Sequence, residues 1–423
     1  MQQRSKTRAV QASDLGVEAH CHRTAAIANL IAHHLFLASE EKVLLRDACR
    51  LHHSGTGLLA PKSMERLLVD LGVGVRVAPG AAVDPVPDSL RGILNAYDVP
   101  GSGSPLELRL AGILRLADAF DQNMEAQPID GEGVDEILER LRSGVGAGLW
   151  AEEAMDALVA STRPAPMGKP ESWHVPVFPQ AAMRMLSLMR GPLTGISQVV
   201  EAASLDPATA GLVMQLANSA LFGSRTRLSS LSQAILRLGF ATTYKVIASA
   251  ALRPMFGSPK LEGLWPHSLE VADLSQQLAC KAGMVEPGEG YLAGLVHDVG
   301  RMALLSVPLY DSARLEGLAG SGCPEVYAED LLLRTNHAEL GAQITAQWRL
   351  PEDMISAIRL HHHPEKAQSP LAHLLYLAEY LSGAEEDLPS IIRLETALRG
   401  ARLQWNDIWD FRVSVLGHWL AAA

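Results

Sequence analysis

The chain has 423 residues, of which 48% are hydrophobic and 5% aromatic, and it carries a net charge of −11. Its length exceeds that of an ordinary single domain. The acidic balance disfavours non-specific binding to nucleic acid or to anionic membranes, although Arg225 and Arg227 form a local basic patch. The four cysteines are scattered without a CxxC pair, which is typical of reduced thiols in a cytoplasmic protein. We predict no signal peptide and no membrane-spanning segment.

Alanine and leucine at helical spacing indicate helices through the first 160 residues. The predicted helices cover 25–37, 43–51, 106–120 and 137–141. A stretch rich in glycine and proline over 72–87 lacks this period and is predicted to be a loop.

Five prolines within residues 164–179 predict a semi-rigid linker, and we place a domain boundary there. The predicted organisation is a first domain over 1–160, a linker over 161–174, a second domain over 175–384 and a C-terminal helical extension over 385–423.

Capping signals divide the second domain into helices. Asp206-Pro207 is an N-cap followed by a proline at the first helical position, and it predicts a helix over 208–221. Ser230–Gln233 is a capping box that predicts a helix over 234–238, which Gly239 is expected to stop. Further helices are predicted to begin near residues 267, 336, 352 and 391. No segment alternates with period two, so the predicted fold class is all-α, with two helical domains.

An apolar run, Tyr291–Val296, leads directly into the adjacent pair His297 and Asp298. Imidazole nitrogen and carboxylate oxygen are common ligands of divalent metals. A single His-Asp pair is weak evidence, because such a pair also ends ordinary helices. Its weight comes from histidines on other predicted helices. The candidate ligands are His267, His297, Asp298, His337, His361 and His362.

The histidines are unevenly distributed along the chain. Six lie within 20–53, none within 54–173, one at position 174, and eight after residue 266. A lone helical histidine is more often a packed residue than a ligand. For the second cluster, a metal site and a packed core both remain open.

The second block resembles the HDOD domain, a bacterial signal-transduction relative of the HD phosphohydrolases. The resemblance covers about 170–375, and its matching stretches are Val175–Pro179, Asp206–Gly223, Ser229–Gly239, Leu264–Ser268, His297–Gly300 and His337–His362. It implies an all-helical fold and a regulatory or scaffolding module.

The resemblance extends to two further residues. Glu379 stands where the closing aspartate of an HD site falls, and it becomes the seventh candidate ligand. Arg301 stands where HD enzymes often place a lysine. Arginine can form paired hydrogen bonds with a phosphate, but it cannot act as a general acid. We therefore expect that a divalent transition metal (iron, manganese or zinc) could bind here, and that hydrolysis is less favoured. His363 and His373 are assigned to the surface and to packing.

The first block resembles an HD-GYP-type domain that has lost ligands. The matching stretches are His20–Arg23, Leu51–Gly55 and Leu116–Asp121. His53 replaces the doublet aspartate, and residues 54–117 contain no histidine. A metal pair would lack most of its ligands, so we predict that this domain is catalytically inactive.

A residual structural metal site in the first domain would use His20, His52 and Asp118. A packed helical core with relict polar residues is favoured over that site, because metal sites need a complete shell of ligands and supporting residues.

Two functional hypotheses follow. The leading one is a cytoplasmic signalling protein without catalytic residues, which binds other signalling proteins, including components of cyclic-dinucleotide pathways. The alternative is a metal-dependent phosphohydrolase of a nucleotide or cyclic dinucleotide that uses the second-domain site. Neither membranes nor nucleic acids are expected partners.

Overall fold

The structure is a computed structural model. It describes residues 20–52, 88–126, 131–164, 177–190, 195–222, 227–261, 263–306, 315, 317–318, 323–383, 391–408 and 411. Within these ranges there is no strand, which confirms the predicted all-α class. His53, Arg225, the loop predicted over 72–87 and the linker from residue 165 to 174 lie outside the described residues.

Helices form most of the described chain. In chain order they are α1 (20–34), α2 (Ser39–Leu51), α3 (Asp88–Asp98), α4 (Pro105–Ala126), α5 (Gly131–Gly146), α6 (Glu152–Ser161), α7 (Gln180–Arg190), α8 (Ile196–Ser204), α9 (Pro207–Ala217), α10 (Leu231–Leu252), α11 (Leu264–Ala282), α12 (Pro287–Val296), α13 (Val299–Ser306), α14 (Glu325–Leu333), α15 (His337–Gln347), α16 (Glu352–Arg359), α17 (Pro370–Ser382), α18 (Ile391–Gly400) and α19 (Trp405–Ile408).

The chain divides into two compact units. The first comprises Met1–Met167, Leu309–Asn336 and Ser390–Ile392, and the second comprises Gly168–Pro308, His337–Pro389 and Arg393–Ala423. This division differs from the contiguous domains that we predicted, because α14 belongs to the first unit although it comes from the middle of the predicted second domain. Local sequence patterns cannot reveal the unit to which α14 belongs, because that assignment depends on which distant residues the helix packs against.

Helix α9 begins as predicted and ends earlier than predicted. The Asp206 carboxylate accepts hydrogen bonds from the backbone N–H groups of Ala208 and Thr209, as expected of an N-cap. The helix ends at Ala217, and a short 3₁₀ turn follows. Asn218 explains the early end, because its side-chain amide bonds both the N–H and the carbonyl of Leu228 and so turns the chain.

Gly239 kinks α10 and does not end it. The glycine has φ +75°, which breaks the regular helix locally, yet helical residues continue to Leu252. The stretch Leu231–Phe256 is long and apolar enough to cross a membrane by length and composition alone, and half of its most apolar window is buried inside the protein. Its Lys245 forms an ion pair with Asp273 at 2.6 Å, so it packs as a core helix.

Two glycines allow helices of the second unit to approach closely. A Cβ on Gly294 would lie 2.5 Å from the Cα of Ala272, and a Cβ on Gly300 would lie 1.9 Å from the carbonyl oxygen of His337. No other residue fits at these separations without moving the backbone. The glycines therefore let α12 pack on α11 and α13 pack on α15, on either side of the His297-Asp298 turn.

We expect Gly300→Ala to destabilise the second unit by about 1–3 kcal/mol, because the added methyl group meets backbone that cannot rotate away. Urea unfolding of the full chain measures this change. Gly211→Ala is the matched control, because that glycine lies in α9 and a Cβ there meets no atom within 4 Å. An equal effect of both substitutions would contradict the close-packing argument.

Candidate metal centre

Five helices of the second unit, with the turns that follow two of them, bring the predicted ligands together. His267 lies on α11, Glu379 on α17, and His337 begins α15, while the other four lie in turns after α12 and α16. Ligand atoms of these side chains lie within 4.8 Å of one another in three overlapping groups, namely His337 with His361 and His362, His267 with His297 and Glu379, and His297 with Asp298 and His361. All seven candidate ligands therefore belong to one cluster.

Backbone hydrogen bonds fix the orientation of two of the imidazoles. The Nδ1–H of His297 donates to the carbonyl of Gly294 at 2.8 Å, and the Nδ1–H of His361 donates to the carbonyl of Ile358 at 2.6 Å. Both side chains are fully buried. Each ring therefore turns its Nε2 atom towards the centre of the cluster, as the imidazoles of metal sites do.

Atoms that carry lone pairs face one another across the cluster. Nε2 of His267 lies 3.2 Å from Oε1 of Glu379, and Nε2 of His337 lies 3.3 Å from Oδ1 of Asp298. Nε2 of His297 also contacts Oε1 of Glu379. Such an arrangement is repulsive unless protons or a cation lie between the acceptors.

Three buried polar atoms of the cluster make no hydrogen bond to any residue that the structure describes. They are Nε2 of His297, Nε2 of His361 and Oδ1 of Asp298. A buried polar atom without a partner costs about 1–3 kcal/mol, and the cost is higher for a charged group. A divalent metal would satisfy these atoms, so this set of donors fits a transition metal.

The surroundings of His297 and His361 shift the pKa values of these two histidines in opposite directions. Burial opposes a charge on His297, but the carboxylates of Asp298 and Glu379 outweigh burial and raise its pKa to about 9. Burial and the nearby His297 and His337 lower the pKa of His361 to about 3. His361 is thus neutral at physiological pH and available as a ligand.

Arg301 holds Asp298 in place. Its Nε donates to Oδ2 of Asp298 at 2.7 Å, so the guanidinium acts on the carboxylate of the cluster. The two histidines assigned elsewhere lie outside this cluster. His363 contacts Glu365 at 3.1 Å, and His373 is buried against Gly400.

The first unit also gathers His20, His52 and Asp118, but hydrogen bonds occupy the carboxylate. Oδ2 of Asp118 accepts a hydrogen bond from the Tyr97 hydroxyl at 2.6 Å, and Oδ1 accepts one from Gln122 at 2.8 Å. Tyr97 and Gln122 were not among the residues that we predicted. They come from helices α3 and α4, and no spacing rule links them to His20.

His20 lies between two carboxylates. Its Nε2 is 2.9 Å from Oδ1 of Asp118, and its Nδ1 is 2.7 Å from Oδ2 of Asp121. Burial opposes a charge on this ring, but the two carboxylates outweigh burial and raise the pKa of His20 to about 9. Arg23 adds two hydrogen bonds to Asp121 at 2.9 and 3.0 Å.

These residues fit a metal poorly. An ion would have to displace a proton from His20, as it would from His297, and it would also have to break the bonds from Tyr97 and Gln122 to Asp118. The positive charge of the imidazole already offsets the carboxylates. The ligand atoms of His20, His52 and Asp118 also lie within 4.8 Å of one another, so the preference for a packed polar core over a residual metal site stays a prediction.

We expect the ion network of His20 to make the first unit less stable as pH rises. The folded-state pKa of His20 is raised from 6.5 to about 9, so its contribution is fully present below about 6.5 and is lost as pH rises through 9. In the presence of chelator, His20→Gln should lower the free energy of unfolding by about 2 kcal/mol at pH 6. Its effect should be much smaller at pH 10.

Urea unfolding of both proteins across this pH range measures the difference. His33→Gln is the matched control, because His33 is exposed on the same helix, α1. A His20→Gln effect that is independent of pH would show that the imidazole carries no charge in the folded protein.

Comparison with known families tests the resemblance of the second block. Residues 175–364 match the model of the HDOD domain. Residues 175–364 therefore form an HDOD domain. Six of the seven candidate ligands lie within or at the edge of this HDOD domain, and Glu379 follows it.

The matches to similar proteins cover only part of each protein. The chain is 26% identical over 204 residues to an uncharacterised protein of Treponema pallidum, a match that covers 47% of this chain and 40% of that protein. It is 28% identical over 152 residues to Ribonuclease Y of Geobacter sulfurreducens, which covers 36% of this chain and 24% of that protein. The chain thus spans less than half the length of either relative.

A solved structure of an HDOD domain protein of unknown function from Geobacter sulfurreducens is also similar. It superimposes with a TM-score of 0.48 at 24% identity and covers 56% of this chain and 87% of that chain.

Proposed function

We propose that the protein is a cytoplasmic signalling protein without enzymatic activity, whose HDOD domain binds other signalling proteins and is held together by a divalent metal. The observation that carries this proposal is the burial of five of the seven candidate ligands, while His267 and His362 are half-buried. His297, His337 and His361 are 0% exposed, and Asp298 and Glu379 are 2% and 4% exposed. Catalytic metal sites keep a position open to water or substrate, whereas structural sites are closed by protein ligands.

The residues that would hold the ion come from helices far apart in sequence. His267, His297 and Glu379 form one candidate ligand group, and Asp298 and His361 extend it. A bound transition metal would neutralise the two carboxylates and link α11, α12, α16 and α17. Arg301 would keep Asp298 oriented, and the backbone carbonyls of Gly294 and Ile358 would hold the rings of His297 and His361.

The second candidate function is metal-dependent hydrolysis of a phosphate ester. The complete set of seven candidate ligands favours it, and so does the partial similarity to proteins named Ribonuclease Y. A metal there would act as a Lewis acid and lower the pKa of a bound water. Arg301 weakens this candidate, because it cannot donate a proton to a leaving group and its Nε is engaged by Asp298.

Metal content tests the site itself. We expect the purified full chain to contain a transition metal, and we expect Asp298→Ala to lose it, because that carboxylate faces three of the histidines. Elemental analysis measures both proteins, prepared without chelator and after addition of zinc, manganese or iron. His363→Ala is the control and should retain the metal, since it lies outside the cluster. A wild-type protein that takes up no metal would remove the site.

Turnover assays test which of the two functions applies. The metal-loaded full chain is incubated with cyclic di-GMP, with a nucleoside monophosphate and with a short RNA. We expect no hydrolysis, because five of the seven ligands are buried and Arg301 cannot donate a proton to a leaving group. Hydrolysis by wild type that is lost in Asp298→Ala would establish the phosphohydrolase and overturn the non-enzymatic proposal.

A further inference from the structure

The side chain of Phe36, in the turn after α1, is 90% exposed to solvent. Its backbone has φ +53°, in the left-handed region that favours glycine and is uncommon for bulky residues. The N–H of Phe36 donates to the carbonyl of His33 at 3.2 Å. The N–H of Leu37, which is buried, donates to the carbonyl of Ala32 at 3.0 Å. A phenylalanine at this position is therefore unfavourable both in its backbone and in its exposed ring.

Two other turns of the chain show that this backbone conformation does not require an apolar side chain. Arg349 and Arg402 have φ +58° and +56°, and both are exposed. Their turns contain the same pair of backbone hydrogen bonds, and a buried leucine follows each arginine, as Leu37 follows Phe36. The folding of the turn therefore does not explain the phenyl ring of Phe36.

The first unit also has an open cleft with a mainly apolar lining. The cleft has a volume of about 350 Å³ and is lined by residues of α4, of the turn between α5 and α6, and of the start of α6. Its lining includes the buried residues Ile113 and Trp150, and Leu149, which is 38% exposed. This volume is at the lower end of the range for clefts that hold drug-sized ligands, so an aromatic side chain fits.

Hydrogen bonds and packing hold the walls of the cleft in place. Arg115 donates from Nε to the carbonyl of Leu149 at 2.9 Å and from Nη1 to the carbonyl of Ala96 at 2.6 Å. The indole of Trp150 fills the space beside Gly144, where a Cβ would lie 2.1 Å from the ring. The cleft is therefore preformed, which reduces the entropy cost of binding.

The charges near Phe36 and in the cleft are complementary. The first turn of α2, which begins shortly after Phe36, is acidic through Glu40 and Glu41. The cleft is lined by two arginines, Arg109 and Arg115, and by one glutamate, so its charged lining is net positive. Complementary charges orient an interface and suppress wrong pairings. They favour a contact between the Phe36 turn and the cleft over a symmetric contact of two Phe36 turns, which would bring like charges together.

We propose that Phe36 of one copy of the chain inserts into this cleft of a second copy. Phe36 does not occupy the cleft of its own copy, because its ring is exposed. An exposed apolar side chain and an open apolar cleft on the same molecule make a head-to-tail contact between identical chains, which closes into a ring or grows into a longer assembly. The contact uses residues of the first unit alone and does not depend on the metal centre.

The test uses the full chain and the substitution Phe36→Gly. Glycine retains the left-handed backbone without strain, so the folded monomer should be at least as stable as wild type. Arg349→Gly is the matched control, because it makes the same change in the same kind of turn and also removes an exposed side chain.

Leu149→Asp alters the other half of the contact by placing a carboxylate in the apolar cleft. Burying that carboxylate against the ring of an incoming Phe36 would be unfavourable. If Leu149→Asp fails to fold, Leu149→Ala provides the milder variant, because it only shortens a partly exposed side chain.

Sedimentation velocity over a concentration series measures association, and urea unfolding verifies that each protein is folded. We expect wild type to associate beyond dimers as its concentration rises. Phe36→Gly and Leu149→Asp should each weaken association at least about tenfold, as expected when an aromatic anchor is lost from an interface. Arg349→Gly should associate as wild type does.

A mixture of the two weakened variants tests whether the ring and the cleft face each other. Phe36→Gly retains an intact cleft, and Leu149→Asp retains Phe36, so each mixed pair keeps one working contact. We expect an equimolar mixture to form heterodimers that do not grow further, because both remaining ends are blocked.

Three results would overturn the inference. The first is a wild type that stays monomeric up to about 1 mM, where even weak contacts are populated. The second is association that survives Phe36→Gly or both substitutions at Leu149, or that Arg349→Gly weakens equally, since another surface would then join the copies. The third is a mixture without heterodimers, which would show that Phe36 and the cleft do not meet. None of these results bears on the metal centre, which metal content tests separately.

Discussion

The second unit depends on the balance of charge among the buried imidazoles and carboxylates at the His297-Asp298 turn. Imidazole nitrogens and carboxylate oxygens from separate helices lie within 4.8 Å of one another, and three of these atoms make no hydrogen bond to a described residue. Helix packing alone would not favour such a centre. The close approaches at Gly294 and Gly300 bring α11, α12, α13 and α15 together on either side of this turn, and a cation there would offset the charge of the two carboxylates.

In the first unit, side chains of the protein itself balance the charge of the buried carboxylates. Two of its carboxylates, Asp118 and Asp121, lie beside His20, and each receives hydrogen bonds from neighbouring side chains. The charged imidazole and Arg23 supply the positive charge that a metal would supply elsewhere. In our proposal, the two units differ in whether hydrogen-bond donors such as Tyr97 and Gln122 reach the carboxylate beside the histidines.

Local signals in the sequence predicted the helices better than their ends. The cap at Asp206 is formed by residues adjacent in the chain, so it could be predicted. The end of α9 could not, because it depends on the bonds from Asn218 to Leu228, ten residues away. Gly239 carries the positive φ expected of a helix end, but buried residues beyond it continue the helix. The place of α14 in the first unit rests on Arg23, Thr162 and Asp135, which lie far from it in sequence.

The candidate ligands could be predicted because each stands at a helix start, a helix end or a place marked by the family resemblance. Their chemistry could not be predicted from spacing. The bond from His297 to Gly294 and the bond from Arg301 to Asp298 decide which atoms remain for a cation, and both are visible only in the folded protein.

Anomalous diffraction from crystals of the full chain soaked in zinc tests this account most directly. The account predicts an anomalous peak bounded by His297, Asp298 and His361, and no peak beside His20 and Asp118. A peak beside His20 and Asp118 with none at the His297 cluster would contradict it, because the hydrogen-bonded network would then be the metal site and the crowded cluster would hold only protons.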